Sequence, residues 1–119
     1  AGAQVSVRTE PNGDVIEDVR LFTAAQSKRL WLRDQHCTYP GCDMPAQWTD
    51  AHHLVHWADG GPTDLSNGGL LCERHHTIVH QRRYPGTVVT GDAGDHLEWD
   101  LTVGSYDRLL AVQSAREPA

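Results

Sequence analysis

Two short cysteine-containing spacings limit what this chain can fold into. They are Cys37-x4-Cys42, with Pro40-Gly41 inside it, and Cys72-x2-His75. The Pro-Gly turn brings the first two thiols together, and residues three apart at the mouth of a helix point to one side. Two such pairs are the donor set of a closed tetrahedral zinc site, in which each turn supplies two of the four ligands. The chain has only three cysteines, so they cannot all pair internally and a disulfide framework is a poor reading. The expectation is a small protein of a reducing, cytoplasmic compartment, built around a structural zinc at Cys37, Cys42, Cys72 and His75.

Histidine says that one metal is not enough. The chain has eight, and six of them (His52, His53, His56, His75, His76, His80) fall between 52 and 80. His76 and His80 stand at i and i+4, so they share a helix face about 100° round from His75. The helix therefore serves two metals. His52 and His53 are adjacent on a strand, where neighbouring side chains leave on opposite sides unless the strand bends. One strand histidine plus two helix histidines would leave positions open for water and substrate, as in a catalytic metal site. His56 lies close to this site and could replace His52 or contact phosphate; the favoured reading is a partly exposed strand residue beside Trp57.

The elements around these residues follow from local pattern. Val5 and Val7 alternate with Ser6 and Arg8, and Val15-Ile16 follows a turn at Asn12-Gly13, which predicts a hairpin. Thr23 caps a helix over 24–35 that carries Leu30 inward. Lys28, Arg29 and Arg33 read as its solvated face. The stretch Trp48–Trp57 predicts a strand with a break, Leu70-Leu71 a short strand, and 73–82 a helix with Ile78 and Val79 inward. Thr87–Thr90 and His96–Leu101 predict strands around the Gly91–Asp95 turn, and 105–119 a short helix or frayed end. Trp31, Trp48, Trp57 and Trp99 are expected mostly in the core.

At 119 residues the chain is the size of one ordinary domain, and 39% apolar content suits a globular protein. No stretch reaches the roughly 18–20 apolar residues that a membrane span needs. The start Ala1-Gly2-Ala3-Gln4 lacks the basic and apolar regions of a secretory signal. It reads as a cut within a longer protein or as an artificial boundary, which leaves further domains of a longer parent chain open. A net charge of −6 argues against a strongly basic nucleic-acid binder. The acidity sits at the two ends, however; residues 19–83 hold seven basic and six acidic side chains. Bound cations would make that middle more positive, so a nucleic-acid partner stays open.

Read together, Arg33-Asp34, Cys37-Thr-Tyr-Pro-Gly-Cys42, Asp50-Ala-His52-His53, Asp64-Leu-Ser-Asn67-Gly-Gly, Leu70-Leu71-Cys72-x2-His75-His76-x3-His80 resemble the zinc-knuckle bacterial and phage branch of the HNH endonucleases. The resemblance covers about 29–84. It departs from the commoner pattern in its x4 cysteine spacing and in having His75 where a fourth cysteine is usual. It implies an α+β fold, a ββα-metal core with a zinc knuckle, a preceding helix and flanking strands. On this division 1–22 is a hairpin extension, 23–84 the nuclease core, and 85–119 its C-terminal strands and helix or tail. His53 then resembles the general base and Asn67 the residue that braces the loop and orients it. His52, His76 and His80 resemble the ligands of one catalytic divalent cation (Mg²⁺, Mn²⁺, Ni²⁺ or Zn²⁺). The implied reaction is hydrolysis of phosphodiester bonds in double-stranded DNA, leaving 5′-phosphate and 3′-hydroxyl ends. Arg33, Arg74, Arg82 and Arg83 are candidates for phosphate contact. The competing expectation is a zinc-stabilised nucleic-acid-binding module without cleavage.

Overall fold

The computed structural model describes residues 5–9, 15–19 and 21–116, with side chains over 21–114. Strands β1 (Val5–Thr9) and β2 (Val15–Val19) pair antiparallel, Val5 opposite Val19. The turn expected at Asn12-Gly13 lies outside the described residues. Helix α1 (Ala24–Asp34) begins at Thr23, whose hydroxyl accepts from the Gln26 amide while the Gln26 side chain accepts from the Thr23 amide. This reciprocal cap satisfies two otherwise orphaned donors. The helix ends when Gln35 turns left-handed at φ 65°.

Strand β3 (Thr49–His53) pairs antiparallel with β4 (Gly68–Cys72), and helix α2 (Glu73–Arg82) follows directly. These three elements are the ββα unit. Every residue of β4 is buried, and its alternation divides the interior in two. Leu70 packs with Leu30 of α1, Ala46 and Phe22, whereas Leu71 packs with Cys37, Cys72, Val79 and Tyr84. Gly68 makes the first contact possible, because a Cβ there would lie 2.9 Å from the Phe22 ring.

The expected strand over Trp48–Trp57 is cut at both ends. Trp48 belongs to a 3₁₀ turn, Ala46–Trp48, and Trp57 to another, Trp57–Asp59. Asn67 causes the second break: its Oδ1 accepts from the Val55 amide at 2.8 Å and its Nδ2 donates to the Val55 carbonyl at 3.0 Å. Those two backbone groups would otherwise extend the ladder.

Strands β5 (Gly86–Gly91) and β6 (Gly94–Trp99) form a hairpin, and helix α3 (Ser105–Arg116) closes the described chain. The segment expected to be a short helix or frayed end is thus helical through Arg116. It is anchored by Tyr106, which is fully buried.

Two expectations about surface and core are corrected. Trp31 and Trp48 are 42% and 70% exposed, because leucines, cysteines and tyrosines already fill the small interior. Arg33, a phosphate-contact candidate, is instead turned into the fold. Its guanidinium donates to both Asp34 carboxylate oxygens and to the Leu65 and Gly68 carbonyls, and Asp34 in turn accepts from the Leu70 amide. Most of its donors are therefore engaged in tying α1 to β4.

Candidate metal centres and the histidine cleft

The first centre joins the loop after α1 to the junction of β4 and α2. Ligand atoms of Cys37, Cys42, Cys72 and His75 all lie within 4.8 Å of one another. His75 Nδ1 is 3.7 Å from Cys37 Sγ and 3.3 Å from Cys72 Sγ. Bonds of about 2.3 Å to sulfur and 2.1 Å to nitrogen put neighbouring corners of a zinc tetrahedron about 3.6 Å apart. The set can therefore hold zinc. Its turn is shaped by Gly41 at φ 82° and by the Cys42 amide, which donates to the Tyr39 carbonyl. Tyr39 stacks on the His75 ring at 4.1 Å. With no cation beside it, burial raises the Cys37 thiol to about 12, and the neighbouring thiols add to that. A buried thiol of this kind becomes a thiolate only where a cation offsets the charge.

The second centre lies where β3 faces α2. His52 is 6% exposed, and its ring is 4.7 Å from that of His76 and 5.5 Å from those of His80 and His56. Its Nε2 is buried without a hydrogen-bond partner. A buried orphan nitrogen surrounded by other imidazoles suits a metal ligand, because leaving it unpaired is costly. Nitrogens of His52, His56 and His80 lie within 4.8 Å of one another. His76 borders this group, half-buried at the mouth.

His56 is where the structure departs most from the sequence reading. It is 9% exposed rather than a partly exposed strand residue, because the break after His53 turns it back toward His52 and His80. The sequence offered one signal: Asp59, three residues on, places a carboxylate 3.7 Å from His56 Nδ1.

His53 leaves β3 on the other side from His52. Its Nε2 is 2.9 Å from the Thr63 hydroxyl, and its ring lies against Phe22. Besides Val55, Asn67 donates to the Pro62 carbonyl at 2.9 Å, so one amide side chain pins both ends of the loop between β3 and β4. Gly61 completes that loop; a Cβ there would run into the Val55 carbonyl. A cleft of about 510 Å³ is bordered by His52, His53, His56, His76, His80 and Arg83. Arg74 and Arg82 stand exposed on α2, whereas Arg83 is paired with Asp107 at 2.7 Å and lies over the Tyr106 ring.

Residues 35–82 match the HNH endonuclease family. The chain contains an HNH domain. Domains of this family bind metal and are generally nucleases. The matching segment spans the zinc-type set, the Asn67 loop and the histidine cleft. Among curated proteins the chain resembles the uncharacterized protein Rv1128c of Mycobacterium tuberculosis, 31% identical over 80 residues, or 67% of this chain and 17% of that protein. It is 34% identical over 80 residues to the uncharacterized proteins Rv1945 of the same organism and Mb1179c of Mycobacterium bovis, again 67% of this chain and 17% of each. The chain thus spans about a sixth of the length of these relatives. No solved structure matches it. Among the described residues, no helix is long and apolar enough to cross a membrane.

The histidine cleft carries a pH signature. Burial, reinforced by neighbouring histidines, lowers His52 to about 2; burial and then His80 lower His56 to about 4. Unfolded, both titrate near 6.5 (approximate reference value). Below that pH the unfolded chain takes up protons that the folded chain refuses, so this contribution is intact above about 6.5 and is lost as the pH falls toward the folded values. Each group adds a slope of up to about 1.4 kcal/mol per pH unit. Zinc-loaded protein dialysed free of other cations should lose urea resistance between pH 7.5 and 5.5 while retaining its zinc. A midpoint that stays level across that window would show that the cluster is not buried in neutral form.

Proposed function

We propose that this HNH domain is a divalent-cation-dependent DNA endonuclease, with His53 as the general base and His52, His76 and His80 as residues that would hold the cation. The observation that supports it most is the pairing, in one cleft, of a partnerless buried nitrogen on His52 with an imidazole on the opposite side of the same strand. One group is suited to a cation and the other to a proton. A cation bound there supplies Lewis-acid stabilisation of charge on the phosphate and on the leaving 3′-oxygen.

The protein's own residues do the rest. His53 accepts the proton of the attacking water, which an imidazole can do near neutral pH. The Thr63 hydroxyl lies 2.9 Å from its Nε2 and fixes the ring direction. Asn67 acts one step further away, holding Val55 and Pro62 so that the loop carrying Thr63 keeps its place over His53. Arg74 and Arg82, exposed on α2, are placed to meet the phosphate backbone, the main source of sequence-independent affinity.

The test is a supercoiled plasmid incubated with zinc-loaded protein, with and without Mg²⁺ or Mn²⁺. Nicked or linear product that requires the added cation, with ends that ligate without prior phosphorylation, supports the proposal. DNA binding without cleavage under every cation would leave the domain a zinc-stabilised binding module.

A further inference from the structure

His56 sits at the rear of the cleft, between two rings. The His80 ring stacks on it at 4.3 Å and 14°, and the Tyr106 ring at 4.1 Å and 16°. Tyr106 comes from α3, fifty residues along the chain and beyond the ββα unit. Its hydroxyl accepts the His56 backbone amide at 2.9 Å and donates to Asp59 Oδ2 at 2.6 Å. The same Asp59 oxygen faces His56 Nδ1 at 3.7 Å. On its other side Tyr106 is held by the Arg83 guanidinium, 4.7 Å from the ring centre, which pairs with Asp107 of α3. Ring plane and backbone of His56 are thus constrained, and a carboxylate lies near one ring nitrogen.

That much support is unusual for a histidine that only fills space. A ligating histidine characteristically directs its second ring nitrogen to a carboxylate, which sets the tautomer and raises the basicity of the nitrogen that binds. Asp59 Oδ2 lies on the Nδ1 side at 3.7 Å, beyond hydrogen-bond length, and is fixed there by the Tyr106 hydroxyl, so it places a negative charge beside that nitrogen. The ligand nitrogens of His52, His56 and His80 form a mutually close set, and His76 is not part of it.

We propose that His56 is a ligand of the cation in this cleft and that Asp59 and Tyr106 are its positioning residues, so that α3 helps build the metal site. This rests on the reading that the cleft takes a divalent cation. The ligand set is then His52, His56 and His80, which puts a residue from the β3–β4 connection in the place that the resemblance gives to His76 and leaves His76 at the margin.

Calorimetric titration with Ni²⁺ alone, on protein whose cysteine site already holds zinc, decides the matter. His56→Ala should weaken Ni²⁺ binding at least tenfold more than His76→Ala does. Asp59→Asn and Tyr106→Phe should each weaken it about 10–100-fold, the usual cost of losing an outer-sphere partner. Retained zinc content and circular dichroism report folding. Should His56→Ala fail to fold, His56→Gln and the partly exposed Asp59→Asn carry the test. Wild-type Ni²⁺ affinity in folded His56→Ala, or in Asp59→Asn together with Tyr106→Phe, would overturn the assignment. Plasmid cleavage is scored separately: protein that binds Ni²⁺ through His56 yet never cuts DNA supports the ligand and defeats the nuclease.

Discussion

Replacing His53 by alanine is expected to slow DNA cleavage by about 10²–10⁴-fold, the usual contribution of a positioned general base. Zinc content, Ni²⁺ binding and DNA affinity should stay close to wild type. The reasons are positional. His53 lies at the end of β3 opposite Gly68, half-buried, on the side of the strand away from the imidazole cluster. Its removal opens space beside Phe22 without taking a member from either metal set. The loss should therefore fall on kcat, with KM little changed, because a base acts on the chemical step rather than on binding. A structural role would instead lower thermal stability and leave the turnover of the remaining folded protein intact. Near wild-type turnover in His53→Ala would remove the base from His53 and direct attention to His52 or His56.

Much of this arrangement was legible because the decisive signals are local. Thr23 and Gln26 announce the start of α1 within four residues, and the helix over 73–82 is found as predicted. The cysteine-type set is local twice over, since each pair is formed by one turn and only the meeting of the two pairs is long-range. Asn67 was expected to brace a loop, and its amide does span Val55 and Pro62.

What escaped the sequence is long-range. The sequence predicts a break within Trp48–Trp57 but not its place, because the side chain that sets it is twelve residues from Val55, in Asn67. His56 could not be read as buried, since Tyr106, which covers it, is separated from it by most of the domain. Trp31 and Trp48 were placed inside on their size alone. In a domain this small, β4 already divides the interior between Leu70 and Leu71, and two more indoles find no room. Arg33 looked like a solvated helix residue, yet the chain brings the Leu65 and Gly68 carbonyls to its guanidinium.

The largest stability effect is expected at the cysteine site. Cys37 and Cys72 are members of the same buried cluster as Leu71, Val79 and Tyr84, so zinc at this site would sit inside the core rather than beside it. In zinc-finger peptides structural zinc contributes about 10–16 kcal/mol to folding, comparable with the roughly 5–15 kcal/mol by which a whole domain is stable. Cys72→Ser leaves three ligands and a buried hydroxyl, and should lower stability by several kcal/mol, read as loss of bound zinc together with loss of the cooperative urea transition. His75→Ala should do the same, since His75 Nδ1 lies within 3.7 Å of both Cys37 and Cys72 sulfurs. His80→Ala, an exposed member of the other cluster, should keep its zinc and its fold. It should bind Ni²⁺ more weakly and recover cleavage as the divalent concentration is raised. His75 and His80 lie on one helix only five residues apart, yet successive helix positions diverge by about 100°, so one helix can serve both centres without sharing a ligand. A folded, zinc-loaded His75→Ala beside an unfolded His80→Ala would mean that the structural and catalytic centres are the reverse of those argued for this helix.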